Sequence, residues 1–405
     1  MGALSHIRVI DLTRVLAGPW ATQILGDLGA EIIKIEKPGE GDETRRFGPP
    51  FLNGADGAQG DAVYFLSANR NKKSVAIDIA KPEGAALVKR LARRAHVVVE
   101  NFKTGALARY GLDYASLVQE NPALIYCSVT GFGHDGPYKD KAGYDYLIQG
   151  MGGLMSITGQ PDGAPGAGPM KVGVAVSDIV TGLYTTIAIL AALLHQARTG
   201  EGQEIDMALF DCQAAALANQ AMNLLAGRTV PARLGNAHPS IVPYQVFATA
   251  DGFLILAVAN DQQFARFCKA AGVEHLACDA RFATNAARVG NRAALVPVLT
   301  ECFSARSSSE WIALLERANV PCGPINRIDQ VFSDPQAIAR GLITTMQHAS
   351  GPLDVPASPL RLAKTPPDYR LAPPTLGEHT DEVLRELLHI APQDLQRLRD
   401  ANVIA

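Results

Sequence analysis

The stretch GVAVSDIVTG, residues 173–182, sets Asp178 between β-branched residues and the long apolar run LYTTIAILAALLH. A carboxylate there has three uses: helix cap, ion-pair partner or catalytic group. Aspartate is a favoured N-cap because its oxygen accepts a bond from the free backbone N–H groups of the first turn. Pattern alone puts the cap first, and the uses are compatible. The positive end of a helix keeps a carboxylate ionised. The same N–H groups can hold an oxyanion when that carboxylate attacks a carbonyl as a covalent nucleophile. Arg14, in DLTRVLAGP, follows the first strand-like run, where open α/β sheets bind ligands; a solvated arginine is the plain alternative. Tyr144 and Asp145 lie in a glycine-rich stretch, where a turn aspartate is the plain reading, and His238 in GNAHPS reads as a loop histidine. Arg45, Arg46, Lys72, Lys73 and Arg109 read as surface charges unless folding brings them together.

Other chemistries lack their residues. There is no Walker A sequence, and LAGP stands where a GxGxxG would follow the first strand. No GxSxG, SxxK or HExxH occurs. The six cysteines form no CxxC pair and no zinc-like spacing. No metal and no tightly bound cofactor are expected.

The elements that must position these residues follow from periodicity. Strand-like runs fall at 7–13, 31–37, 73–79, 96–101 and 124–131, with helical spacing at 18–30 and 82–95. Continuous apolar strands separated by helical crossovers predict a parallel sheet covered on both faces, an α/β Rossmann-like form. Residues 136–171 are rich in Gly and Pro and read as a long functional loop. A helix should then run from Asp178 to about Arg198, with Gly200 as its C-cap. It is too short and too rich in small and hydroxyl residues for a membrane span, so a buried helix is expected. Further on, YQVFATADGFLILAVA predicts a hairpin, and Ser307 and Glu310 stand at capping-box spacing. VPCGPIN at 320–326 reads as a linker. The expected organisation is a large Rossmann-like domain over 1–225, a small α+β domain over 232–325, and a segment over 326–405.

With 405 residues, 47% of them hydrophobic, the chain exceeds one ordinary domain. A net charge of −3 with no basic block gives no footprint for nucleic acid. The N-terminus enters strand pattern at once, without a signal-peptide or transit pattern, and His6 stands where a myristoylation motif needs Ser or Thr. A soluble, cytoplasmic protein with reduced thiols is expected.

The motifs DLTRVLAGP, GAEIIKIEKPGEGDETR, NRNKKSVAIDI, VENFKTGAL, GYDYLIQGMGGLMSITG, GVAVSDIVTGLY, VPCGPIN and LGEHTDEVL together resemble the family III CoA-transferases, in that family's order. The resemblance implies that the C-terminal segment returns to the large domain, and that two open-ring chains interlock as a homodimer. It implies acyl-CoA and carboxylic acid substrates, with coenzyme A as part of donor and product. Asp178 then matches the family's nucleophilic aspartate, which passes through an aspartyl anhydride and an aspartyl-CoA thioester. Arg14, Val15, Ala17, Lys37, Ile77, Asn101, Phe102 and Arg109 match CoA contacts. Leu16, Arg45, Arg46, Tyr144, Asp145 and His238 are matched to the substrate pocket. Formyl-CoA transferase has a glutamine where Leu16 stands, and LGNAHPSIVPYQ replaces its glycine-rich lid; His238 or backbone amides are the candidates to replace those parts. Within the superfamily, α-methylacyl-CoA racemases use a His-Asp pair where this chain has Tyr144-Asp145, and a tyrosine is a poor base. The chain looks most like the branch that moves CoA from succinyl-CoA to short dicarboxylic acids such as glutarate, hydroxymethylglutarate or itaconate. Formate, oxalate and carnitine-like acids are the other acceptors in the family. A second carboxylate wants an arginine fork, for which Arg14, Arg45 and Arg46 are candidates.

Overall fold

The computed structural model describes residues 2–54, 57 and 59–405. The chain divides into a large compact unit, Met1–Leu154 with Lys171–Thr229 and Ile338–Ala405, and a smaller one, Met155–Met170 with Val230–Ala337. The smaller unit is therefore wider than residues 232–325, and it draws in part of the glycine-rich stretch.

Six parallel strands form the sheet of the large unit: β1 (Arg8–Asp11), β2 (Glu31–Glu36), β3 (Lys72–Ala76), β4 (Val97–Glu100), β5 (Ile125–Thr130) and β6 (Glu204–Ala208). Their order across the sheet is β3-β2-β1-β4-β5-β6, so the chain reverses direction between β1 and β4. That is the doubly wound order, and its switch point is where such sheets bind ligands. Every residue of β4 and β5 is buried, as strands with both faces covered must be. Ile10, Ile33, Val75 and Val98 face one core, with α2 (Pro82–Ala92) and the C-terminal helices Thr380–Leu388 and Pro392–Asp400. Val9, Ile32, Val97 and Val99 face the other, with Leu25 of α1 (Ala17–Asp27), Ile148 of α3 (Asp145–Met151) and Ile189 of α4 (Val176–Thr199).

The expected long loop is interrupted by α3, whose Ile148 is pinned in that second core. α4 is long and apolar enough to cross a membrane by length and composition, yet it packs on α1. At their crossing, a Cβ on Gly182 would stand 2.7 Å from the Ala17 carbonyl oxygen and 3.1 Å from Trp20. Only one face of α4 is covered. Ser177, Thr181, Thr185 and Ile189 are buried, whereas Leu183, Tyr184, Ile187 and Leu194 are exposed. That departs from the buried helix expected: residues three and four apart share a face, and among the described residues this one is left exposed. Gly200 ends α4 in the left-handed region, its N–H donating to the Gln196 carbonyl.

The small unit has a three-stranded antiparallel sheet, with Phe253–Ala257 between Tyr244–Ala248 and Cys322–Pro324. The hairpin turns at ADG as the sequence predicts, and Ser307 and Glu310 form the capping box. Phe247, Phe267, Phe303 and Trp311 stack into its core. VPCGPIN does not form a simple linker: Cys322–Pro324 is an edge strand, where a proline's missing N–H is tolerated.

Candidate active site

The switch point opens into a cleft of about 420 Å³. Its walls come from the carboxyl ends of the central strands: Arg14–Ala17 after β1, Glu43 and Phe47 after β2, Asn101–Thr104 after β4, and Val129–Gly131 at β5. Lys139–Asp145, Asp178 and Leu209 complete it. The segment before α3 reaches the sheet through two glycines. A Cβ on Gly131 would lie 2.4 Å from the Gly143 Cα, and one on Gly143 would lie 2.1 Å from the Gly131 Cα. Glycine at both positions lets the backbones touch and brings Tyr144 and Asp145 to the cleft.

Asp178 does not cap α4. The cap is Ala175, so Asp178 is the third helical residue. The capping acceptor is Asp145: its Oδ1 takes the N–H of Ser177 at 2.8 Å and that of Asp178 at 3.4 Å. Asp145 Oδ2 accepts from Gln149 at 2.7 Å. Ser177 Oγ donates to Gln213, fixing the same turn from α5 (Leu209–Ala216). Released from capping, the Asp178 side chain faces the cleft. It is 7% exposed, and among the described residues none donates a hydrogen bond to its carboxylate. Burial first, and then the like charge of Asp145, push its pKa up to about 7. The fully ionised group expected from the helix field alone gives way to one that titrates near neutrality, because desolvation disfavours the charged form.

Beneath the β1–α1 loop lies a buried polar network. Asp11 is wholly buried, pairs with Lys72 at 3.1 Å and accepts from Thr13 and Thr22. Despite the opposing effect of burial, Lys72 and Lys34 hold the Asp11 carboxyl at about 2. Desolvation pushes Lys72 down to about 8. Lys34 pairs with Asp42 at 3.0 Å, and neither side chain is exposed. Lys72 is thus no surface charge. Above the network, Val15 stands at φ +70°, a conformation costing a β-branched residue about 1–3 kcal/mol.

Nine of the residues singled out from the sequence meet in this cleft: Arg14, Val15, Leu16, Ala17, Asn101, Phe102, Tyr144, Asp145 and Asp178. The Arg14 guanidinium lies 5.0 Å from the Phe102 ring and bonds Glu43 at 2.6 Å. Arg45 is elsewhere. It is buried, bonds Glu36 at 2.7 and 2.8 Å and Asp61 at 2.5 Å, and lies 3.7 Å from the Phe65 ring. It is spent on the fold and offers no fork to a substrate. Ile77 is 1% exposed within the core. Lys37 sits on the surface paired with Glu40, Arg109 is exposed over Tyr110, and Arg46 is exposed; none of the three lines the cleft. His238 belongs to the small unit, where Ser240 N–H donates to its Nδ1 at 3.1 Å. Glu43, Phe47, Lys103, Lys139 and Lys141 line the cleft as well, and none of them alone stands out by residue type or motif. The signal was available in GDETRRF, NFKTG and YKDK, charged runs just beyond strands, where this sheet binds.

The sequence matches the profile of CoA-transferase family III over residues 4–380. The chain belongs to CoA-transferase family III. It is 53% identical over 386 residues to a succinate–glutarate CoA-transferase of Agrobacterium fabrum, covering 95% of each chain. It is 44% identical over 405 residues to a succinyl-CoA:glutarate CoA-transferase of Mus musculus, covering 100% of this chain and 91% of that one. The crystal structure of a CAIB/BAIF family protein from Brucella suis matches with a TM-score of 0.85 at 49% identity, covering 95% of this chain and 99% of that one. The protein is therefore a CoA-transferase. Membership points to an acyl-CoA thioester and a carboxylic acid as substrates.

Proposed function

We propose that this enzyme moves CoA from succinyl-CoA to a short dicarboxylic acid, with Asp178 as covalent nucleophile. The observation that carries the reading is the Asp178 carboxylate, buried in the cleft with no hydrogen-bond donor of its own among the described residues. The names of the two relatives support the substrates.

The Asp178 carboxylate attacks the thioester carbonyl, and collapse of the tetrahedral adduct expels CoA thiolate and leaves an aspartyl–succinyl anhydride. The thiolate attacks the aspartyl carbonyl, releasing succinate and forming an aspartyl-CoA thioester. The acceptor carboxylate attacks that thioester and again releases thiolate. The thiolate then takes the acceptor's acyl group, and Asp178 returns as carboxylate. Each step exchanges one acyl bond for another, so no ATP is consumed. A carboxylate with a pKa near 7 is a stronger nucleophile than an ordinary one. Arg14, Val15, Ala17, Asn101 and Phe102 would contact the CoA arm, and Lys103, Lys139 and Lys141 would offset the negative charge of both substrates. Of the three arginines considered for the second carboxylate, Arg14 is the one in the cleft wall.

A second copy of the chain would cover Leu183, Tyr184, Ile187 and Leu194 of α4, giving a homodimer in the cytoplasm. The function is tested by offering succinyl-CoA with glutarate, hydroxymethylglutarate, itaconate, oxalate, formate and a carnitine-like acid, and reading CoA products by mass spectrometry. Glutaryl-CoA or a near relative is expected. Turnover with the monocarboxylates alone would contradict the substrate assignment.

A further inference from the structure

The backbone of the β1–α1 loop is tied down group by group. Thr13 N–H donates to Asp11 Oδ1 at 2.8 Å, and the Thr13 carbonyl accepts from Lys34 Nζ at 2.7 Å. Asn101 holds Arg14 at both its N–H and its carbonyl, at 2.9 and 2.7 Å. Val15 N–H donates to Asp42 Oδ1 at 3.2 Å. Asp42 is 1% exposed, and its other oxygen accepts from Lys34 at 3.0 Å. Lys34 therefore touches the loop directly and fixes the carboxylate that touches it next. Held this way, Val15 keeps a left-handed conformation that a β-branched residue leaves when the surroundings permit. Leu16 and Ala17 follow at once, open α1 and line the cleft that contains the unpartnered, buried Asp178 carboxylate. The first N–H groups of a helix have no partner within it. Leu16 itself brings no side-chain donor to the cleft.

We propose that Asp42, fixed by Lys34, is a positioning residue for acyl transfer. It keeps Val15 left-handed so that the Leu16 and Ala17 N–H groups meet the oxygen that gains negative charge during the reaction. As the Asp178 oxygen bonds to the thioester carbon, the carbonyl π pair moves onto that oxygen. It returns when the C–S bond breaks and the thiolate leaves, and no proton is transferred. Preorganised donors act only while that charge exists, so their loss lowers kcat more than substrate affinity. The inference rests on the covalent reading of Asp178.

The test compares the full-length enzyme with Asp42→Ala, Asp42→Asn and Asp42→Ala/Val15→Gly, using succinyl-CoA and glutarate. Asp42→Ala should lower kcat at least about tenfold, with KM for succinyl-CoA within about threefold. Asp42→Asn keeps an acceptor for the Val15 N–H but turns a donor toward Lys34, so its kcat should fall between those of wild type and Asp42→Ala. Glycine takes the left-handed region without help, so the double variant should recover most of the loss in Asp42→Ala. A folded Asp42→Ala with kcat within about twofold of wild type overturns the proposal, as does absence of rescue. If Asp42→Ala does not fold, a folded Asp42→Asn whose lowered kcat is not raised by adding Val15→Gly overturns it. Wild-type turnover without any hydroxylamine-sensitive adduct on Asp178 removes the covalent reading itself. An adduct that forms, but equally fast in Asp42→Ala, removes only the positioning role.

Discussion

Replacing Asp178 by asparagine should abolish turnover and, at the same time, stabilise the folded chain in a pH-dependent way. The Asp178 carboxyl has a pKa of about 7 in the folded protein against an ordinary 3.8. A raised acid pKa means the folded state binds the proton more tightly than the unfolded state. Below pH 3.8 both states are protonated and nothing is lost. Between 3.8 and 7 the unfolded state releases its proton first, so wild-type stability falls as pH rises, and above 7 the loss is constant. At about 1.4 kcal/mol for each tenfold change in proton affinity, the full loss is about 4 kcal/mol at pH 8.5, about 2 near pH 5 and under about 1 near pH 4. The asparagine side chain has the same shape and no charge, so the variant escapes that loss. For a chain this long, about 4 kcal/mol corresponds to about 5 °C in Tm. Calorimetry of both proteins at pH 4, 5, 7 and 8.5 measures this. A Tm gap that opens as pH rises and levels off above 7 is expected. A gap independent of pH, or a wild type that gains stability over the variant at high pH, would show that folding does not raise the Asp178 pKa.

Other outcomes follow from the same geometry. The acid limb of kcat/KM should rise with an apparent pKa near 7, and Asp145→Asn should move it to lower pH by removing the like charge while keeping an acceptor for Ser177. Arg45→Ala strands Glu36 and Asp61 and should cost about 3–5 kcal/mol in denaturant unfolding, with the preference among acceptor acids unchanged in the folded fraction. Gly143→Ala puts a methyl against the Gly131 backbone and should lower both activity and Tm. Ile187→Glu should leave the chain monomeric by analytical ultracentrifugation if a second copy covers that face of α4; a dimer that persists speaks against this cover.

The parallel sheet and the place of the cleft were legible because strand burial is a local pattern. Val97–Glu100 and Ile125–Thr130 are apolar enough to require cover on both faces, and ligand position follows from the switch point. Asp178 stood out as a charge between apolar runs. Its cap reading failed because Val176 and Ser177 are already helical and the capping oxygen comes from Asp145, 33 residues earlier. Nothing local to Asp178 announces that partner. Lys72 and Arg45 looked like surface charges for the same reason. Their burial depends on Asp11, 61 residues away in sequence, and on Glu36 across the loop. The left-handed Val15 was equally hidden, since a β-branched residue type argues against the conformation.

Acyl transfer through Asp178 leaves a covalent trace on that side chain. Incubating the enzyme with succinyl-CoA, quenching with hydroxylamine and mapping peptides by mass spectrometry tests it most directly. A hydroxamate on Asp178 is expected, with none in Asp178→Asn. Full turnover with Asp178 unmodified, or an adduct on another residue, would contradict it.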